Sequence, residues 1–239
     1  VVDVNASRVM ERVVRCAEEL GFDIVRFASA EPLTLDGHIA QERVRLGYME
    51  GMPWYTEERV QQASDPRELL PGASSFIAVA ICYQTAESER IDSDELVGRV
   101  ARYARWPDYH RVMKEKLRVL AREISEYAGR TVATRIFVDD SPLLERAVAQ
   151  RAGIGWFGKN TNILTQHRGS WVFLGCVLTD LFLEPDESSK KSCGECAVCI
   201  PSCPTGAIVA PYTLDARLCI SYLTIELKGA IPKHLRPLM

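Results

Sequence analysis

The sequence predicts an α/β domain over residues 1–183 followed by a small cysteine-rich module over residues 184–239. Three observations carry that division. Apolar residues recur at helical spacing in separate stretches, compact apolar runs alternate with them as strands do, and five of the eight cysteines fall between 193 and 219. Hydrophobic residues make up 47% and charged residues 26% of the 239, ordinary values for a folded chain long enough to bury a substantial core.

Over residues 6–20, apolar side chains at Val9, Val13, Cys16, Ala17 and Leu20 define an amphipathic helix, with Gly21 as its stop. FDIVRFA (22–28) reads as a strand. A helix is expected near residues 38–52, broken by Pro53-Trp54-Tyr55. SSFIAVAICY (74–83) is nearly continuous apolar sequence, as in a strand buried on both faces. Residues 108–128 form a helix and 135–138 a short strand. Pro142 then opens a helix behind Asp140 or Ser141 as N-cap, and Gly153 closes it. SWVFLGCVLTDL (170–181) is a further strand, and EPDESSKK (184–191) a polar linker.

Cys193, Cys196, Cys199 and Cys203 are spaced C-x2-C-x2-C-x3-C, with Pro204 behind the last. That run is the bacterial-ferredoxin signature for a [4Fe–4S] cluster. Paired C-x2-C also makes zinc sites, but those normally separate their two pairs by a dozen or more residues. Such ligation needs reduced thiolates, so a cytoplasmic protein is expected. Cys16, Cys82 and Cys176 read as core residues. No apolar run reaches membrane-spanning length, so no membrane association is expected.

The net charge of −3 gives no global sign of nucleic acid. Locally, Arg99, Arg102, Arg105, Arg111, Lys114, Lys116, Arg118 and Arg122 stand against only Asp108 and Glu115. This stretch is either a phosphate-binding face or a solvated helix surface.

Outside the cysteines, VDDSP (138–142), GIGWFGKNTNIL (153–164) and GSWVFLG (169–175) join CGECAVCIPSCPTGAI (193–208) and LDARLCISYLTIELKG (214–229). Together they resemble the epoxyqueuosine reductases, tRNA-modifying oxidoreductases of the last step of queuosine biosynthesis. LGFDIVRFASAEPL (20–33), DPRELLPGA (65–73) and DYH (108–110) extend the likeness over nearly the whole chain.

The resemblance implies a nitroreductase-like cobalamin-binding α/β domain followed by a ferredoxin-like module holding two [4Fe–4S] clusters. It implies reduction of the epoxide of epoxyqueuosine at the tRNA wobble position. Clusters would pass electrons to cobalamin, Co(I) would attack the epoxide, and a carboxylic acid would protonate the opening oxygen. By match to the family pattern that acid is Asp139, lying over the cobalt face. Asp140 is the better helix cap.

Further corrin-binding positions implied by the family are Lys159, Asn160, Ile163, Leu174, Ser221 and Thr224, with Ile163 and Leu174 equally well explained as core; Tyr103 is placed near the substrate or cofactor. The glycines of 153–158 would let backbone approach the ring. His110 is placed either near the substrate or in a structural role. Asp36-Gly37-His38-Ile39-Ala40-Gln41 lacks the final glycine of the D-x-H-x-x-G cobalamin loop, so a base-off cofactor without a protein ligand is expected. The cluster ligands are expected to be Cys193, Cys196 and Cys199 for one cluster, with Cys203 and Cys219 serving the second; Cys219 is a ligand by the family pattern alone. Expected partners are tRNA carrying epoxyqueuosine, recognised at its anticodon stem-loop, and a separate electron donor, with the protein itself a monomer.

The chain departs from the family pattern in two places. It opens at Val1 and stops at Met239 before the family's second C-x2-C-x3-C-P motif, so a fragment or part of a longer protein is expected. Arg105-Trp106-Pro107-Asp108 also replaces the usual glycine and basic residue before DYH. The competing readings are a dehalogenase-like corrinoid reductase of a small molecule and an electron-carrier subunit.

Overall fold

The computed structural model of the chain describes residues 4–85 and 100–239, so Arg99 of the basic stretch lies outside the described residues. The opening helix is α1 (Val4–Glu19), and it ends before Gly21, whose left-handed backbone (φ 82°) suits a residue without a side chain. Next come β1 (Ile24–Ser29) and α2 (Thr34–Arg45). The latter begins and ends earlier than the expected 38–52. Left-handed turns at Gly47 and Gly51 lead the chain away, and the apolar residues that suggested a longer helix instead face a cavity.

Two short helices follow: α3 (Glu57–Ser64), with the Thr56 hydroxyl accepting the Arg59 N–H at 3.2 Å, and α4 (Pro66–Leu69). The remaining core elements are β2 (Ser75–Cys82), α5 (Tyr109–Ala128), β3 (Thr134–Phe137), α6 (Glu145–Arg151), the hairpin of β4 (Trp156–Phe157) and β5 (Ile163–Leu164), and β6 (Val172–Thr179).

The main sheet runs β1-β2-β6-β3, and each neighbouring pair is antiparallel. The period-two alternation of strands divides its side chains between two layers. Phe76, Ala78, Ala80, Cys176 and Leu178 pack with Ala147 and Val148 of α6 and with Ala152 just after it. Ile77, Val79 and Val177 face the other way, onto Val13 of α1 and Met113, Leu117 and Leu120 of α5. A three-layer arrangement results, and it explains why β2 is apolar at nearly every position.

Residues 184–191 do not hang free between two units. The Phe27 N–H donates to Asp186 Oδ2 at 2.7 Å and the Asp186 N–H to the Phe27 carbonyl at 3.0 Å, covering the otherwise open edge of β1. A Cβ at Gly153 would stand 2.3 Å from the Glu187 carbonyl, so that glycine is required by this close approach.

The cysteine-rich part adds a small hairpin, β7 (Ile208–Ala210) with β8 (Thr213–Leu214), and a π-helical turn at Tyr222–Glu226. It docks on the loop after α2. The Ala216 N–H reaches the Tyr48 carbonyl at 2.9 Å, and Arg43 donates to Thr213 Oγ1 at 2.9 Å. Arg217 bridges Asp215 (2.8 Å) and Glu50 (3.1 Å). No helix among the described residues is long and apolar enough to cross a membrane.

Candidate active site

The carboxyl ends of β2 and β3 and the opening of β6 meet at one end of the sheet. A cavity of about 710 Å³ lies there, within the size range of small-molecule and cofactor sites. Val172, Phe173 and Leu174 form one wall, with Ile163 beside them. Met49, Met52 and Tyr55 come from the segment after α2, and Leu214 and Ala216 from the cysteine-rich part. The two parts of the chain therefore share one cavity.

Asp139 stands at its rim, exposed, in a left-handed conformation (φ 54°) that residues with side chains adopt rarely. Three contacts from outside its own strand hold the loop. The Tyr109 hydroxyl donates to Asp139 Oδ2 at 2.6 Å. The Asp139 N–H donates to Glu145 Oε1 at 2.6 Å. Lys114 bonds the Asp140 carboxylate.

Asp140 is therefore an ion-pair partner and not the expected helix cap. The chain stays irregular through Pro142, and α6 starts only at Glu145, without a side-chain cap at Leu144. The charge of Lys114, a distant residue in sequence, outweighs local capping.

The electrostatics separate these groups. Burial pushes the Tyr109 phenol well above its ordinary range, and its bond to Asp139 adds to the rise, so it acts as a neutral donor. Tyr109 stacks on Phe173 (centroids 4.1 Å, 4° between planes), and Phe173 on Tyr83 (4.4 Å). Burial also pushes Glu145 up to about 8, reinforced by the Asp139 and Asp140 charges and opposed by the Asp139 N–H and Arg146. Burial works against the Asp140 charge as well, but Lys114 holds that group below the usual carboxylate range.

Of the positions expected to bind cofactor, Asp139, Ile163 and Leu174 line this cavity. Tyr103, Lys159, Asn160, Ser221 and Thr224 lie outside its lining. Lys159 Nζ donates to the Gly194 carbonyl at 2.8 Å, joining the domain to the cysteine run. Asn160 Oδ1 accepts the Asn162 N–H at 3.2 Å and shapes the hairpin loop. Thr224 Oγ1 donates to the Ile220 carbonyl at 2.8 Å, and Ser221 is exposed at the head of the π-helical turn. Tyr103 sits in a short turn near Tyr83.

The glycines of 153–158 serve the chain's own packing. A Cβ at Gly155 would stand 2.3 Å from the Leu164 carbonyl, and one at Gly158 2.4 Å from Asn160 Oδ1. His38 belongs to α2 and does not line the cavity.

The cysteine run folds as consecutive tight turns. The Cys196 N–H reaches the Cys193 carbonyl at 3.0 Å and the Cys203 N–H the Ile200 carbonyl at 3.3 Å. Burial works against a thiolate at Cys203, yet N–H groups of Ile208, Ala207 and Thr205 and the Thr205 hydroxyl bring its pKa down. A sulfur cradled by N–H donors suits a cluster thiolate, so the residues present fit the group that the spacing implies. Cys193, Cys199, Cys203 and Cys219 are half-buried and Cys196 exposed, all as free thiols.

A second, shallower cavity of about 440 Å³ flanks the first, lined by Asp108, His110, Arg111, Lys114, Arg118 and Asp140. Arg111, Lys114 and Arg118 fall on one face of α5, three and four residues apart. His110 stacks on Tyr109 (4.0 Å) and its Nδ1 lies 2.8 Å from Asp108 Oδ1.

Sequence reading passed over Tyr109 and Glu145. Only one signal for Glu145 was local: a glutamate six residues after Asp139, at a helix start, where capping glutamates reach back to a free N–H.

Comparison with known proteins bears on the whole arrangement. The family model described as epoxyqueuosine reductase QueG, DUF1730, matches residues 64–140, and the 4Fe-4S double cluster binding domain matches 192–239. The epoxyqueuosine reductase of Salmonella typhimurium is 40% identical over 238 residues, covering 99% of this chain and 61% of that protein. The chain is a relative of the epoxyqueuosine reductases.

It spans about three fifths of their length. An epoxyqueuosine reductase crystallised with an epoxyqueuosine-modified tRNA-Tyr stem loop superposes with a TM-score of 0.85 at 33% identity, over 97% of this chain and 60% of that one. The Bacillus subtilis epoxyqueuosine reductase, captured with a catalytic aspartate loop swung out of its active site, gives 0.84 at 32% identity over 98% and 61%. The reductive dehalogenase NpRdhA shares the fold more distantly, with a TM-score of 0.52 at 14% identity over 89% and 24%.

Proposed function

We propose that this chain is the catalytic part of an epoxyqueuosine reductase, with an α/β domain over 1–183 and an iron–sulfur module over 184–239. The observation that carries this reading is a carboxyl group, Asp139, aimed from a strained loop at a cavity shared by the sheet end and the cysteine-rich part. Its substrate is epoxyqueuosine in tRNA, and its product queuosine. The net change is addition of two electrons and two protons, with loss of the epoxide oxygen as water.

The apolar wall of Val172, Leu174 and Ile163, facing a carboxyl and a phenol, fits a broad, flat macrocycle with one reactive face. Val172, Leu174 and Ile163 would hold cobalamin there, and it would supply low-valent, nucleophilic cobalt chemistry. Cys193, Cys196, Cys199, Cys203 and Cys219 would hold the iron–sulfur clusters, which would supply single electrons from a separate donor. Lys159, Asn160, Ser221, Thr224 and Tyr103, which lie outside the cavity lining, would be further contacts of the same cofactor.

The chain's own residues handle position and protons. Tyr109 donates to one Asp139 oxygen and so fixes the carboxyl plane, leaving the second oxygen for the transferable proton. Asp139 gives that proton to the epoxide oxygen as the ring opens. Arg111, Lys114 and Arg118 beside the catalytic loop serve as contacts for tRNA phosphates.

The test uses the full-length protein, reconstituted anaerobically and incubated with cobalamin, a strong reductant and tRNA carrying epoxyqueuosine. Digested nucleosides are then weighed by mass spectrometry. Loss of one oxygen that depends on added cobalamin supports the proposal. An unchanged nucleoside, with a halogenated aromatic compound reduced instead, would replace it with a small-molecule corrinoid reductase.

A further inference from the structure

We propose that Glu145 is a positioning residue for the reaction: by accepting the Asp139 N–H, it holds the loop that aims Asp139 at the cavity. This inference rests on the reading of Asp139 as the proton donor and goes beyond it.

The geometry is specific. Asp139 lies two residues past the end of β3, and a left-handed residue there turns the chain off the strand axis. Residues with side chains avoid this conformation unless something outside compensates. The compensation is the 2.6 Å bond from the Asp139 N–H to Glu145 Oε1.

Glu145 is a fixed anchor for that bond. It opens α6, whose Ala147, Val148 and Ala149 are buried against the sheet. Tyr109 fixes the same aspartate through its carboxyl. One contact therefore sets the backbone of Asp139 and the other its side chain.

Neutrality of Glu145 is part of the device. Asp139 and Asp140 face it from the loop, Cys176 from β6 and Arg146 from its own helix, while Tyr109 of α5 reaches it through Asp139. With its pKa pushed up to about 8 by burial, the carboxyl is neutral at pH 7 and accepts the N–H without adding a charge beside the Asp140 carboxylate. Above that value it becomes a second anion beside the Asp140 carboxylate, against a loop whose Asp139 has to carry its proton. The turnover rate then falls on the alkaline side.

Glu145→Gln keeps an accepting oxygen and removes the titration, whereas Glu145→Ala removes both. In full-length protein loaded with cobalamin, Glu145→Ala should lower kcat about 10- to 100-fold with KM for tRNA little changed, the scale of an angstrom-sized misplacement. Glu145→Gln should restore most of the rate and abolish the alkaline limb near pH 8. In the cofactor-free protein, hydrogen exchange at the Asp139 amide should accelerate in the Ala variant and not in the Gln variant.

An unchanged rate in Glu145→Ala, or a fall in rate with the Asp139 amide still protected, would overturn the proposal. If the Ala variant does not fold, a Gln variant that keeps the alkaline limb would do the same. Asp139→Asn runs alongside: if it turns over normally, the proton-donor reading fails. If it is dead while Glu145→Ala is normal, only the role of Glu145 fails.

Discussion

The loop at Asp139 and the run from Cys193 to Cys203 are built on opposite principles. In the cysteine run, spacing along the chain does nearly all the work, because hydrogen bonds between residues three apart fold it into consecutive turns. In the Asp139 loop nothing local suffices. A strained backbone is held by side chains from α5 and α6, one of them thirty residues away. Ligand sets can be written into a short motif, whereas proton chemistry needs groups whose environments are made by packing.

Removing a ligand should break the local side of this contrast completely. Cys199→Ser is expected to abolish turnover that uses the physiological electron route and to lower the iron content of reconstituted protein, leaving the main sheet folded. Iron analysis and circular dichroism check both halves. An unchanged iron content would mean that the turns do not hold the cluster.

The tertiary side should respond in smaller steps. Tyr109→Phe keeps the ring stacked on Phe173 and removes only the 2.6 Å bond to Asp139. Turnover is expected to fall about tenfold, the upper cost of one ordinary hydrogen bond, with little change in Tm. Equal losses of rate and stability would show that the stack, not the bond, was disturbed.

The junction between the two regions gives the next effect. Asp215 is buried, and its carboxyl is held below the usual range chiefly by its bonds from Arg217. A depressed carboxyl stabilises fully above the ordinary aspartate range and loses that contribution as pH falls through its folded value. Asp215→Ala is therefore expected to cost about 1–2 kcal/mol near neutral pH, with a shrinking difference in acid. Urea melts at two pH values measure it.

The smallest effect is expected at the basic face of α5. Neutralising Arg111 and Arg118 together should weaken tRNA binding and reduce its salt slope by roughly 0.7–0.9 for each phosphate that is no longer neutralised. The cobalamin spectrum should not move. An unaltered slope would return these residues to a solvated helix surface.

The same contrast explains what sequence could disclose. The apolar run of β2 and the helices α1 and α5 were legible because burial imposes a period that a window of residues displays. Cys203 was legible through its spacing, although the N–H groups around its sulfur were not. Local rules favour Asp140 as a cap, but Lys114, twenty-six residues earlier, takes its charge instead. Tyr109 looks like any aromatic residue at a helix start. The end of α2 falls earlier than its apolar residues suggest because Met49 and Met52 are apolar for the cavity's sake and not for a helix face. Periodicity reports the core; a site gathers residues without any period.

The most direct measurement compares wild-type and Asp139→Asn full-length protein in a single turnover on tRNA carrying epoxyqueuosine, with the cobalamin spectrum recorded on the same samples. The account predicts an unchanged binding spectrum and a rate lower by about 10²- to 10⁴-fold, the usual contribution of a positioned general acid. A variant that binds cobalamin and converts its substrate at the wild-type rate would contradict it.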